Sequence, residues 1–106
     1  MSKIDNRHRI AVPHDLMLKV ETDFNANLKL YIKAKTLFLD NPSPENYHIP
    51  CLGNISINKS RRFMIPQIAR GIFNFVPGDE VIFYIYDGKL AFKRIFPEKK
   101  QSTKKE

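Results

Sequence analysis

Two stretches of this chain, IDNRHRIAVP at 4–13 and INKSRRFMIP at 57–66, share one plan: an apolar residue, a polar cationic turn, an apolar run and a proline. Displacing the chain by 53 positions aligns 3–40 with 56–93 without a gap. Ile4, Arg9, Pro13, Tyr31, Ile32 and Leu37 then meet Ile57, Arg62, Pro66, Tyr84, Ile85 and Leu90 as identities. Apolar replaces apolar at Ile10/Phe63, Val12/Ile65, Val20/Phe73, Leu28/Val81, Leu30/Phe83 and Leu39/Phe92. Six identities in 38 pairs is a modest score, but the apolar pattern kept at a constant offset points to two copies of one structural unit. A chain of 106 residues can bury one core and not two independent large ones, so the copies have to share it.

Each copy parses in the same order. A short strand (3–5; 55–57) enters a polar turn, and a second strand follows (9–12; 62–65). Pro13 and Pro66 suit the first turn of a helix, where a missing N–H costs nothing. Behind Pro66, Ile68, Ile72 and Phe73 fall on one helical face, as do Leu16, Met17 and Val20 behind Pro13, which predicts two helices of about two turns each. In the second copy Pro77-Gly78 fits the centre of a type II turn, VIFYIY reads as a strand, Asp87-Gly88 as a hairpin turn and KLAFKRI as the returning strand. The first copy has Asn25 and Asn27 before LKLYIK, and Ala-Lys where Asp-Gly would be, so its hairpin is less sharply marked. LKLYIK alternates as a half-buried strand should, whereas VIFYIY is apolar on both faces and predicts a cover for the face of Ile82, Tyr84 and Tyr86. The expected division is a first half at 1–40, a proline-rich linker at 41–52, a second half at 53–96 and a mobile basic tail at 97–106, with both halves in one structural domain.

Charge narrows the function. The net charge is +7, with +2 in residues 1–40 and +4 in residues 53–96, which favours a polyanionic partner, nucleic acid above all. The N-terminus MSKIDNRHRIAV has charges where a signal peptide has its apolar region, and no apolar run is long enough to span a membrane, so a cytoplasmic protein is expected. The lone Cys51 suits a reducing compartment and reads as a small buried residue. His8, His14, His48 and Cys51 lack the spacing of a metal site, only four glycines are present and no nucleophile has a recognisable base beside it, so neither a metal, a cofactor nor catalysis is expected.

The order strand, basic turn, Arg-apolar-apolar-apolar-Pro, short helix, Pro-Gly-Asp, hairpin resembles the AbrB/SpoVT superfamily of bacterial DNA-binding domains. Residues 57–94 resemble one nearly complete unit and residues 3–40 a diverged second. The resemblance implies a mainly β fold with short helices, in which two β-α-β-β units interleave into a single swapped-hairpin barrel with pseudo-two-fold symmetry. Tandem copies in one chain are similar to the MraZ arrangement, whose Asp-x-x-x-Arg motif is matched by Asp5 and Arg9 and departed from at Asn58, while Arg62 is kept.

By position, the same resemblance nominates Arg9, Arg62 and Arg70 for a DNA-facing surface, and the turns themselves add Arg7 and His8 in one copy and Lys59, Ser60 and Arg61 in the other. Asp5 and Asn58 would support the turns. The resemblance implies a nucleoid-associated transcriptional regulator that binds double-stranded DNA. Because the copies differ, with Arg70 facing Met17 and Lys59 facing Asn6, the two halves are expected to contact it unequally, and the apolar face of Ile82, Tyr84 and Tyr86 is the expected site of homo-oligomerisation. Two alternatives stand beside it. One is an antitoxin resembling MazE, with a toxin as protein partner, although PEKKQSTKKE has no apolar anchors for such a partner. The other is an oligomerisation or scaffold module that does not bind DNA, in which Arg9 and Arg62 pair with neighbouring acids or solvate the rim.

Overall fold

Two β-hairpins, one from each half, form the centre of the molecule and meet along their second strands. The computed structural model describes residues 2–95. In chain order its elements are β1 (Ser2–Lys3), β2 (Arg9–Ala11), α1 (His14–Met17), β3 (Leu28–Lys33), β4 (Thr36–Asp40), a 3-10 turn (Pro44–Asn46), β5 (Cys51–Ile55), β6 (Arg62–Met64), α2 (Gln67–Phe73), β7 (Glu80–Tyr86) and β8 (Lys89–Arg94). The fold is mainly β with two short helices: a six-stranded antiparallel sheet in the order β1-β7-β8-β4-β3-β5, and a separate antiparallel ribbon of β2 and β6. The basic tail expected from Pro97 onward lies outside the described residues.

The sheet order reads the same from either end once each strand is replaced by its repeat partner, because the first strand of each copy pairs with the third strand of the other. β1 lies against β7 and β5 against β3. Register follows the offset of 53. The pair Ser2↔Val81 becomes Ile55↔Leu28 on exchanging copies, and Arg9↔Met64 becomes Arg62↔Ala11. Two pairs map onto themselves, Ile10↔Phe63 in the ribbon and Phe38↔Ala91 between β4 and β8. They are the two places where exchanging the copies leaves the register unchanged.

The core lies between the ribbon and the sheet. Ile10, Val12, Phe63 and Ile65 from the ribbon strands and their extensions meet Leu28, Leu30, Leu37, Leu39, Val81, Phe83, Leu90 and Phe92 from the hairpins. Phe63 sets its ring edge-on to Phe83 and Phe92, at centroid distances of 6.4 and 5.8 Å. The opposite face of the sheet carries a smaller cluster of Tyr31, Phe38 and Ala91, against which Ile49, Tyr84 and Tyr86 pack. The connection at 41–52 is therefore ordered and supplies part of the cover that VIFYIY calls for. Asp40 and Asn46, both buried, fasten it: Asn46 Nδ2 donates to Asp40 Oδ2 at 2.8 Å and to the Asn41 carbonyl at 3.0 Å.

Several expectations need correction. The sheet does not close into a barrel: β1 and β5 each have one neighbour, because the chain leaves the sheet after them and spends its next hydrogen bonds closing a turn and building the ribbon. The first strand of the second copy runs over Cys51–Ile55, earlier than expected, and starts inside the predicted linker. Cys51 is exposed, not buried. Gly53 permits the approach of Pro66, since a Cβ there would sit 2.7 Å from the proline Cβ. Helix α1 has only four residues, though Leu16, Met17 and Val20 do pack against the core. Helix α2 buries Ala69 and half-buries Phe73, leaving Ile68 and Ile72 more than half exposed. Its small alanine, not the isoleucines, lets the helix seat closely on β5.

Both hairpins use the same two-residue turn. Asp87 and Gly88 have φ of 52° and 78°, and Ala34 and Lys35 have 50° and 66°, so all four are left-handed as a type I′ turn requires. Pro77-Gly78 forms the expected type II turn, with Gly78 at φ 95° and the Asp79 N–H donating to the Val76 carbonyl at 3.1 Å. Ala and Lys have no means of easing a positive φ. Replacing them with Asn and Gly (A34N/K35G) is expected to raise the unfolding free energy by about 1 kcal/mol. Urea denaturation checks this; an unchanged midpoint would mean that the first hairpin turn carries no strain.

Candidate nucleic-acid interface

The two cationic turns are built by one set of hydrogen bonds. In the first, Asp5 Oδ1 accepts from the backbone N–H groups of Arg7 and Arg9 at 2.8 and 2.9 Å, the Asp5 N–H donates to the Arg9 carbonyl, and the His8 N–H donates to the Asp5 carbonyl. In the second, Asn58 Oδ1 accepts from Ser60 and Arg62 at 2.9 and 3.0 Å, the Asn58 N–H donates to the Arg62 carbonyl, and the Arg61 N–H donates to the Asn58 carbonyl. His8 and Arg61 occupy the same left-handed conformation, φ 62° and 61°. A side-chain oxygen is what the turn needs, and aspartate and asparagine both supply one. An asparagine can therefore stand where the first copy has an acid.

Each turn is then tied to the other copy. The Ile65 N–H donates to the His8 carbonyl at 2.9 Å, and the Val12 N–H donates to the Arg61 carbonyl at 2.7 Å. These bonds lengthen the ribbon by one pair at each end, so His8 and Arg61 stand at its two extremities, about 14 Å apart along the strands. Between them side chains alternate. Ile10 and Phe63 are fully buried, which turns Arg9, Ala11, Arg62 and Met64 to the outer face. Arg9 and Arg62 sit on a diagonal of that face with Cα atoms roughly 7–8 Å apart. The structure thus brings Arg7, His8, Arg9, Lys59, Ser60, Arg61 and Arg62 onto one ribbon and its flanking turns. The alternation in Arg-Ile-Ala and Arg-Phe-Met was the signal for Ala11 and Met64, which sequence reasoning did not nominate.

Arg70 stands apart, on α2. It is half-buried, and its Nε is enclosed without a hydrogen-bond partner. Of the residues proposed for oligomerisation, Tyr84 and Tyr86 are half-buried in the cluster around Phe38, with Tyr86 and Phe38 centroids 6.0 Å apart, while Ile82 is exposed.

The electrostatics of the turns differ. Arg9 Nε donates to Asp5 Oδ2 at 3.0 Å, a pair one-third exposed on each side. Asn58 has an amide nitrogen where that second oxygen would be, and Arg62 has no carboxylate partner among the described residues. Arg61 Nε donates to the Val12 carbonyl at 3.2 Å. Asp5 is held below the ordinary carboxylate value of 3.8, first by the hydrogen bond from the Arg9 N–H, against an opposing burial effect, then by the Arg7 N–H and the Arg9 guanidinium. Among the described residues no helix is long and apolar enough to cross a membrane. The chain matches no protein-family model, no curated protein and no solved structure.

Because the turn needs an acceptor at position 5, Asp5→Ala is expected to lower the melting temperature more than Asp5→Asn does at pH 7. A depressed native pKa stabilises the fold above the unfolded carboxylate value and loses that contribution as pH falls through the native one. Wild type should therefore shed this increment below about pH 4, and Asp5→Asn should not. Thermal melts of the three proteins from pH 2 to 7 check both; equal losses in Ala and Asn variants would contradict the acceptor role.

Proposed function

We propose that this chain is a DNA-binding transcriptional regulator of the AbrB-like type, two swapped-hairpin units interleaved in one polypeptide. The observation that carries it is the β2-β6 ribbon, with arginines on its outer face and a cationic turn at each end, in a topology where each half completes the other's sheet. The DNA major groove, about 12 Å wide, admits a two-stranded β-ribbon. In this reading Arg9 and Arg62 reach base edges or the flanking phosphates, while Arg7, Lys59 and Arg61 neutralise phosphates on either side of the groove, helped by His8 and Ser60. Arg70, on α2, belongs to the second rank of contacts. The +4 charge of residues 53–96 supports a polyanion as the partner.

A second reading, a protein-binding module, is favoured by one feature: Met64, Ile68, Ile72 and Val76 are all at least half exposed and recur every fourth residue. Their counterparts in the first copy are Ala11, Asp15, Lys19 and Asp23, so this apolar stripe belongs to the second half alone. The two readings separate on salt. Binding to a random-sequence duplex is expected to weaken steeply between 50 and 200 mM salt, and Arg9→Ala/Arg62→Ala to flatten the log–log slope by about one to two. Fluorescence anisotropy measures both. Absence of binding at low salt would refute the DNA reading and favour a protein partner.

A further inference from the structure

We infer that the two halves divide the work on DNA: the first turn reads sequence through Arg9 held by Asp5, the second supplies sequence-independent grip through Arg62, and the Asp5/Asn58 difference sets this polarity. The inference rests on the DNA-binding reading above.

The two turns have the same backbone, the same acceptor bonds and the same position at a ribbon end, and what sets Arg9 apart from Arg62 is one side-chain atom of the residue that caps each turn. Asp5 spends Oδ1 on the Arg7 and Arg9 amides and has Oδ2 left to take the Arg9 Nε at 3.0 Å. Asn58 spends Oδ1 on the Ser60 and Arg62 amides and has left only Nδ2, a donor, which cannot hold a guanidinium. In Arg9 the Nε is engaged by Asp5, and the two terminal nitrogens are left as donors for a further partner. A guanidinium fixed in this way has less rotamer freedom to lose when it meets the O6 and N7 of a guanine. Arg62 has no such tether among the described residues and suits a phosphate, whose oxygens accept from many directions.

Local charge points the same way. The first turn carries Asp5 against Arg7 and Arg9, a net +1, while the second carries Lys59, Arg61 and Arg62, a net +3. Phosphates are drawn to the second turn, and the first is left to be selective. Asp5 is a positioning residue here, acting through Arg9. One chain then prefers a site that is not an inverted repeat and binds it in one orientation.

The test is enrichment of bound duplexes from a randomised double-stranded pool, followed by affinities for the enriched duplex and for the pool. Wild type is expected to enrich a one-sided motif. Asp5→Asn should keep binding the pool but lose roughly five- to hundred-fold in preference for the enriched duplex. Arg62→Ala should weaken binding to both alike, lower the salt slope by about one and enrich the same motif. Asn58→Asp, which supplies the missing oxygen, should add a second half-motif and move the enriched site toward an inverted repeat. A palindromic motif from wild type, or an unchanged preference in Asp5→Asn, would overturn the division while leaving DNA binding intact. No binding to the pool by wild type would overturn both.

Discussion

The pairing of Ile10 with Phe63 across the ribbon is the contact on which the molecule depends. It joins equivalent residues of the two copies, and the Phe63 ring meets Phe83 and Phe92. Burying a phenylalanine side chain contributes on the order of 2–3 kcal/mol, more than any exposed charge pair in the structure. Once Ile10 and Phe63 point inward, strand alternation leaves no choice for their neighbours: Arg9, Ala11, Arg62 and Met64 must face out. The cationic surface is thus a consequence of where the core begins.

On either side of that contact the two copies reproduce one scaffold with different chemistry. The turns before the ribbon use aspartate in one copy and asparagine in the other. The loops before β3 and β7 are clamped from equivalent positions, 41 and 94. Asn41 accepts from the Asp23 N–H and donates to the Asp23 and Asn27 carbonyls, whereas Arg94 donates to the Asn74 carbonyl and to Asp79, which in turn accepts from the Val76 N–H. The amide does the work with neutral groups; the guanidinium does it with an ion pair and stacks over Phe75 besides. Backbone demands are met in both, and the side-chain charge is free to differ. That freedom is what allows one face of a nearly symmetric frame to become unequal.

Much of the frame was legible in the repeat. A constant offset of 53 placed the ribbon strands, the hairpins and the paired prolines, because an apolar alternation and a turn signal survive divergence better than identity does. Features that depend on what lies across the molecule were not legible. The sheet's open edges follow from hydrogen bonds spent in the turns, which no periodicity reports. Ile68 and Ile72 have helical spacing, yet Ala69 is the residue the helix buries, and spacing alone does not say which side meets a neighbour. Ala34-Lys35 carries no local preference for positive φ and takes that conformation because the hairpin register imposes it. At the site, the cations were visible as clusters, but the ribbon diagonal joining Arg9 and Arg62 follows from strand register, and the one-sided tether from Asp5 from side-chain placement within the turn.

The most direct test of the account is a two-dimensional 15N–1H titration of the protein with a short duplex at low salt. If the ribbon docks on DNA, the amides of residues 7–11 and 59–64 shift or broaden first, with the outer sheet face around Ile82 and Tyr84 left unmoved. Perturbation confined to that sheet face or to the Ile68/Ile72 stripe, with the ribbon silent, would contradict it.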